Sequence, residues 1–410
     1  MTVRRVLQQL KSRDIEVRVL GASVFDTHHG MGLWQEKFTS RGSQKGTIFE
    51  FDDNGILNEV LVTSRTESGR MLNSEQTAWL SKYVTVLDDF KPDLVMTYGG
   101  LPLDLLTTHE ARRRNVPITS FLFNGNYQGV TWCRDVDLIL TDSDATRDRY
   151  REREGFEVKA VGTFIRQQEV VPEVATRERV LFVNPSLKKG AAIVAALAAK
   201  LEVTRPDILF EIVEARGDWS LAQQVSEGKV RGRFMQTRSA KARHKTTPLR
   251  NVVLTSNTTD MRPVFGRARI LLVLSLGWDS GPRVSAEAMM NGIPVIASKC
   301  GGLPEQVEDA GIVFDFPDTC NQPPYATLPP EETLVEMAKL IEHLYDDDVF
   351  FQDYSRRTQE VVARKHDIEK NTDLLISHLM PYLERQAGDQ DFEEALRRVH
   401  KHGSSIKKVV

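Results

Sequence analysis

The stretch W-D-S-G-P-R-V-S-A-E-A-M-M-N-G-I-P-V-I-A-S-K-C-G-G-L-P-E, residues 278–305, decides the fold of this chain. A polar turn runs into helical spacing from Arg283, a short apolar strand follows at 294–297, and Gly301-Gly302 opens a second helix. In an open parallel sheet such strand-to-helix turns gather at the carboxyl edge, where ligands bind. Glycines at that edge let backbone N–H groups approach a phosphate, and a helix N-terminus adds roughly half a positive charge facing the anion. Asp279 and Glu287, with seven residues between them, stand on the turn and a helical turn along. Both carboxylates are expected to face one ligand, gripping hydroxyls of a sugar and a ribose.

Outward from this stretch the same alternation continues. Strands are predicted at 180–184, 209–213, 252–254 and 270–274, with helices at 191–200, 261–268 and 283–291. Upstream lies a similar series, opening on a helix over 2–13 and continuing with strands at 15–20, 94–97, 118–123, 138–141 and 158–161. Helices at 74–90, 103–114 and 144–154 separate them. Alternation of this kind implies parallel sheets. The fold class read from it is α/β, with two doubly wound Rossmann-like domains facing a cleft. The polar segment 166–179, with Pro172 in its middle, divides them. The expected organisation is an acceptor domain over 1–165, a donor domain over 166–348, helices over 349–387 returning to the first domain, and a charged tail over 388–410 ending in disorder. Within the first domain, 28–62 reads as an irregular elaboration with a strand pair around the turn Asp53-Asn54-Gly55.

The chain has 410 residues, enough for two cores. It is 40% hydrophobic and 27% charged with a net charge of -3, which excludes a general affinity for polyanions. Cys133, Cys300 and Cys320 lie far apart without a C-x-x-C pair, so neither a disulfide framework nor a zinc site is expected. No apolar run of about 18 residues appears, and the reading is a reduced, cytoplasmic protein with peripheral membrane contact at most.

The stretch resembles the retaining GT-B glycosyltransferases of family 4, the glycosyl transferases group 1 type. Their signature is E-x7-E followed by A-M, G-x-P-V and a G-G-x-x-E turn. The matching positions are Glu287-Ala288-Met289, Gly292-Ile293-Pro294-Val295, and Gly301-Gly302 with Glu305. The resemblance implies that Glu287 contacts the donor ribose and Asp279 the sugar hydroxyls. It places Ser280, Gly301, Gly302, Leu303 and Glu305 around the donor, with the backbone near Gly302 on its diphosphate. Val183-Asn184-Pro185-Ser186-Leu187-Lys188-Lys189-Gly190 is similar to the family's strand, loop and Lys-Gly helix start. Lys189 there takes the place of the lysine on the diphosphate, Asn184 that of an arginine, and Gly217 that of a glycine turn near the base. Lys188 and Arg283 compensate for the missing cation. In the first domain, Gly99, Gly100, Asn124 and Tyr127 fall on the acceptor side.

Three further departures accompany the resemblance. Asp279 is a methylene shorter than the family's usual Glu, Phe123 stands where many relatives have a histidine, and the chain starts at a helix where relatives begin with a strand that is central in the sheet. The function expected is hexosyl transfer from a nucleotide diphosphate sugar to a hydroxyl acceptor, with retention and without a metal or other cofactor. Catalytic roles fall to Lys189, Asp279 and Arg283. The rival readings are a non-catalytic GT-B partner or scaffold and a sugar-nucleotide epimerase of the same fold. His28-His29 reads as an ordinary loop. The acid-free basic run 229–250 reads as a solvated loop, or as a contact for an anionic acceptor or membrane surface. No nucleic acid is expected, since aromatic side chains are not interleaved with the charges.

Overall fold

The computed structural model describes residues 2–24, 45–230, 247–384 and 407–409. His28-His29 and most of the basic run therefore lie outside the described residues. The chain separates into two compact units, one of Met1–Phe164 with Ile368–Val410 and one of Ile165–Asp367.

The first unit opens with α1 (Thr2–Ser12) and β1 (Ile15–Ala22), followed by the antiparallel pair β2 (Ile48–Asp52) and β3 (Leu57–Leu61). There follow α2 (Asn73–Phe90), β4 (Val95–Thr97), α3 (Pro102–Arg112), β5 (Ile118–Leu122), β6 (Leu138–Thr141), α4 (Asp144–Glu154) and β7 (Val158–Ala160). Every residue of β5 and β6 is buried, as expected of parallel strands covered by helices on both faces. Glu59 on β3 is fully buried between Arg18 Nε at 2.6 Å and the Lys82 ammonium. Burial works against its charge, but the two cations prevail and hold the carboxyl below its ordinary range.

The second unit carries β8 (Arg179–Val183), α5 (Ala191–Thr204), β9 (Leu209–Val213), α6 (Trp219–Ser226), β10 (Val252–Thr255), α7 (Arg262–Arg267) and β11 (Ala268–Val273). It continues with α8 (Arg283–Met290), β12 (Val295–Ser298), α9 (Leu303–Val307), β13 (Gly311–Phe314), α10 (Glu331–Asp346) and α11 (Asp348–Lys365). Its parallel sheet has the order β10-β9-β8-β11-β12-β13. The order reverses direction at β8 and β11, so the loops leaving those two strands flank a switch point, the place where open α/β sheets take ligands. Helix α5 is apolar nearly all round and sits in one core cluster with the sheet and α10. Each leucine or isoleucine fully buried there contributes about 1.5–3 kcal/mol.

The sequence reading sent both C-terminal helices back to the first unit, but the return starts only at Ile368. Helix α11 stays with the second unit, where Gln359 Nε2 donates to Met289 O at 2.9 Å. Helix α12 (Ile368–Leu383) belongs to the first unit and shares a core with Val6 and Leu10 of α1 through Leu375, Leu379 and Leu383. The expected disordered end is also corrected. Lys407–Val409 forms β14, parallel to β1 over Ile15, Glu16 and Val17. Its other side meets β4, where Leu94 bridges Val409 and the Asp93 and Leu94 N–H groups donate to Lys408 O at 3.0 and 3.2 Å. The strand order thereby runs β2-β3-β1-β14-β4-β5-β6-β7. The central place that looked vacant in the sequence is filled along part of its length, because Val409 is apolar, fully buried and flanked by two strand edges that need backbone partners.

Candidate functional site

The loops leaving β8 and β11 meet as the strand order implies. A short 3-10 turn, Leu187–Lys189, follows β8 and leads into α5. Lys188 O accepts the N–H groups of Leu276 at 2.8 Å and Gly277 at 3.3 Å, which ties this turn to the exit of β11. Lys189 then lies against Asp279, its ammonium bonded to Asp279 Oδ2, and Ser275 Oγ donates to the same oxygen at 2.8 Å. Ser275 in turn is fixed by Ser298 Oγ, which donates to its carbonyl at 2.6 Å. The pair is only partly shielded, with the Lys189 side chain 30% exposed and that of Asp279 15%. An ammonium in this setting is accessible to an incoming anion.

The glycine turn after β12 presses on the same loop. Gly301 has φ +59, and a Cβ there would stand 1.9 Å from Asp279 O, so only glycine fits. Gly302 N–H donates to Asp279 O at 2.9 Å, and Leu303 N–H points to Cys300 O at 3.3 Å. This corrects the expectation for the backbone near Gly302. Its amide holds the Asp279 turn. The Cys300 thiol is pushed up first by burial and then by the Asp279 charge, which keeps it protonated.

On α8, Glu287 faces Arg283, with Arg283 Nη2 2.9 Å and Nε 3.2 Å from Glu287 Oε1. The two signature carboxylates thus each carry a cation, Asp279 with Lys189 and Glu287 with Arg283. Ser280 is buried beside them. Helix α8 is locked to α9 by Ser285 Oγ, 2.5 Å from Gln306 Oε1, and Glu305 O accepts Lys365 Nζ at 2.8 Å.

Asn184 departs from its expected donor role. It has φ +67, and its Oδ1 accepts the N–H groups of Arg216 and Gly217, both at 3.2 Å. Its Oδ1 joins the β8 and β9 loops. Gly217 serves the same junction, since a Cβ there would fall 2.0 Å from Pro185 C.

The acceptor-side residues of the first unit also come together. Asp104 at the start of α3 accepts Leu101 N–H at 2.7 Å, and burial raises its carboxyl despite amide bonds from Leu101 and Gly100. Gly99 lies over this carboxylate, and Gly100 fits against Tyr127, whose ring is 4.6 Å from Trp132. Burial pushes the Tyr127 phenol up to about 12. Asn124 O accepts the Tyr150 hydroxyl at 2.8 Å, which also receives Tyr127 N–H at 3.1 Å. Phe123 stacks on Phe121 at 5.2 Å and supplies packing where the family pattern has a histidine. Sequence reasoning missed Ser275 and Asp104. Nothing local marks Ser275, whereas Asp104 was signalled by its place three residues after Leu101 at a helix start.

Residues 220–347 match the model of the family described as Glycosyl transferases group 1. No curated protein matches the chain. Among solved structures, it is similar to a glycosyltransferase from Rickettsia africae, at 10% identity over 95% of each chain with a TM-score of 0.63. It is similar also to Anabaena HepE crystallised with UDP and glucose, at 16% identity over 92% of this chain and 95% of that one, with a TM-score of 0.61. TarM of S. aureus aligns at 14% identity over 74% of this chain with a TM-score of 0.55, and the chain spans 58% of TarM's length. At such identities the likeness speaks for the fold. The chain is thus a protein of the GT-B fold with two Rossmann-like units, and its residues 220–347 match the glycosyl transferases group 1 model.

Proposed function

We propose that the protein transfers a sugar from a nucleoside diphosphate donor, held by the second unit, to a hydroxyl acceptor held by the first. The observation that carries this reading is the Lys189–Asp279 pair with Ser275, set at the switch point of the β8–β11 sheet. The donor diphosphate takes Lys189 from Asp279, and the released carboxylate accepts hydroxyls of the sugar. Glu287 then turns to the ribose while Arg283 and Lys188 add positive charge. In the transfer, the bond from the anomeric carbon to the β-phosphate oxygen breaks and its electron pair leaves on the diphosphate. The acceptor oxygen bonds to the same carbon, and its proton passes to the departing phosphate oxygen. Attack from the face the diphosphate leaves preserves the anomeric configuration. Cations already in place act on charge as it develops, without reorganisation at the moment of reaction.

Uridine donors are the first to test, given the UDP and glucose found with HepE. Calorimetric titration with uridine and guanosine diphosphate sugars, followed by slow donor hydrolysis, is the direct experiment. Binding of one donor with slow release of its sugar is expected, and Glu287→Ala should weaken that binding at least tenfold. Silence toward the whole panel would instead favour a non-catalytic partner, and unchanged affinity in Glu287→Ala would remove the site assignment.

A further inference from the structure

The Lys189 ammonium is already taken by Asp279, so a diphosphate must compete for it. An ammonium drawn to a phosphate leaves the carboxylate without its cation. A carboxylate on an open surface meets such a loss by turning to water. Asp279 is held against that turn at both ends. Ser275 Oγ donates to Asp279 Oδ2 at 2.8 Å, and Ser275 is itself only 1% exposed, its carbonyl accepting Ser298 Oγ at 2.6 Å. On the backbone side, the Asp279 carbonyl accepts Gly302 N–H at 2.9 Å and abuts Gly301. The Asp279 side chain is 15% exposed, so little water replaces the ammonium when it leaves. Removing one partner of a shielded ion pair is costly for the charge that stays behind.

Two ligands then fare differently at one site. A nucleoside diphosphate draws on Lys189 and brings nothing to the carboxylate, so one ammonium is shared between two anionic groups. A nucleoside diphosphate sugar draws on Lys189 in the same way, but a sugar hydroxyl donates to Asp279 in return. Asp279 Oδ1 is open to that bond, since among the described residues it accepts no other. A hydrogen bond to an ionised acceptor is about twice as strong as a neutral one. Sites built to receive a hydroxyl reject the analogue that lacks it, because their own polar group is then left unpaired.

Resting on the donor reading, we infer that the Lys189–Asp279 pair selects against the free nucleoside diphosphate, and that Ser275 is the positioning residue that makes this selection possible. After transfer, the sugar leaves with the acceptor and takes its hydroxyl from Asp279. The carboxylate recovers Lys189, and the diphosphate product is displaced. Lys188 stands outside the exchange. Its chain lies along Gly277, where a Cβ would fall 2.3 Å from Lys188 Cε, and among the described residues it forms no ion pair. With no pair to break, it attracts both ligands alike.

Calorimetry of the full chain with two pairs of probes, UDP against UDP-glucose and GDP against GDP-mannose, tests the inference. In the pair that binds, the sugar nucleotide should bind at least about tenfold more tightly than its diphosphate. Asp279→Asn keeps the shape and an acceptor for Ser275 but releases Lys189. The diphosphate should then gain about fivefold or more and the sugar nucleotide nothing, so that the preference falls below about threefold. Ser275→Ala frees the carboxylate to turn to water, and the preference should fall likewise with the diphosphate bound no more weakly than before. A wild-type preference below about threefold overturns the inference and leaves the donor reading standing. An equal gain for both ligands in Asp279→Asn also overturns it, because the removal of one negative charge then accounts for the change. So does an equal loss for both ligands in Ser275→Ala, which would give Ser275 a structural role only. Binding of neither pair by the wild-type chain refutes the donor reading, and this inference with it.

Discussion

Replacing Gly301 by alanine probes the contact on which the donor loop depends. The residue has φ +59, and the new methyl group would stand 1.9 Å from Asp279 O and 2.9 Å from Asp279 N. Two costs add. Holding alanine in the left-handed region takes about 1–2 kcal/mol. Moving the Asp279 carbonyl away loses its bond to Gly302 N–H, worth about 1 kcal/mol, and forces repacking of about 1–3 kcal/mol. The sum is about 3–6 kcal/mol. Gly155→Ala is the control, since Gly155 has φ +72 with nothing within 4 Å of its added Cβ, and there only the backbone cost of about 1–2 kcal/mol applies. Urea unfolding of the two variants, followed by tryptophan fluorescence, reads the difference. Because Asp279 moves with its carbonyl, Gly301→Ala should also weaken UDP-glucose binding at least tenfold by calorimetry, while Gly155→Ala leaves it unchanged. Equal destabilisation by the two variants would show that the turn yields to the methyl group, and the reasoning would fail.

Asn184→Gly keeps the positive φ but removes the acceptor for Arg216 and Gly217, so about 1–2 kcal/mol of stability should be lost in urea unfolding. Donor affinity should change less than threefold, and a larger loss would return Asn184 to the ligand. Buried His366 donates from Nε2 to Gln306 O, 3.2 Å away, and burial lowers its pKa to about 4, with Lys365 adding to the shift and the Gln306 bond and Glu308 opposing it. Between pH 6.5 and about 4 the unfolded chain binds a proton that the folded chain refuses, so stability is highest above pH 6.5 and falls as the pH drops through that window. The loss is on the order of 3 kcal/mol, and in His366→Gln the profile should flatten there; an unaltered slope would assign the acid sensitivity elsewhere. Removing residues 407–410 strips β14, with its buried Val409, from the first unit. Exchange in β1 and β4 should accelerate at least tenfold while that in β8 and β11 stays as before, and uniform acceleration would contradict the division into two units.

What the sequence disclosed was local, and what it concealed depended on distant partners. The strand, turn and helix of residues 278–305 could be read because their periods, their Gly301-Gly302 turn and their acidic spacing all lie within one βαβ repeat. The apolar runs of β6, β8 and β11 were equally plain, since parallel strands buried on both faces carry no polar alternation. Asn184 illustrates the opposite case. It stands where the resembled family has an arginine on the diphosphate, yet its Oδ1 accepts the amides of Arg216 and Gly217, brought near only when β8 pairs with β9. Gly302 was correctly placed at a turn, but the direction of its N–H was fixed by Asp279, 23 positions earlier in the chain. The extreme example is β14. Lys407-Lys408-Val409 has little strand character of its own, and two lysines in sequence suggest a solvated end. It becomes a strand because β1 and β4 present unpaired edges one strand apart, and because Val409 fills the core that α1 and α12 enclose.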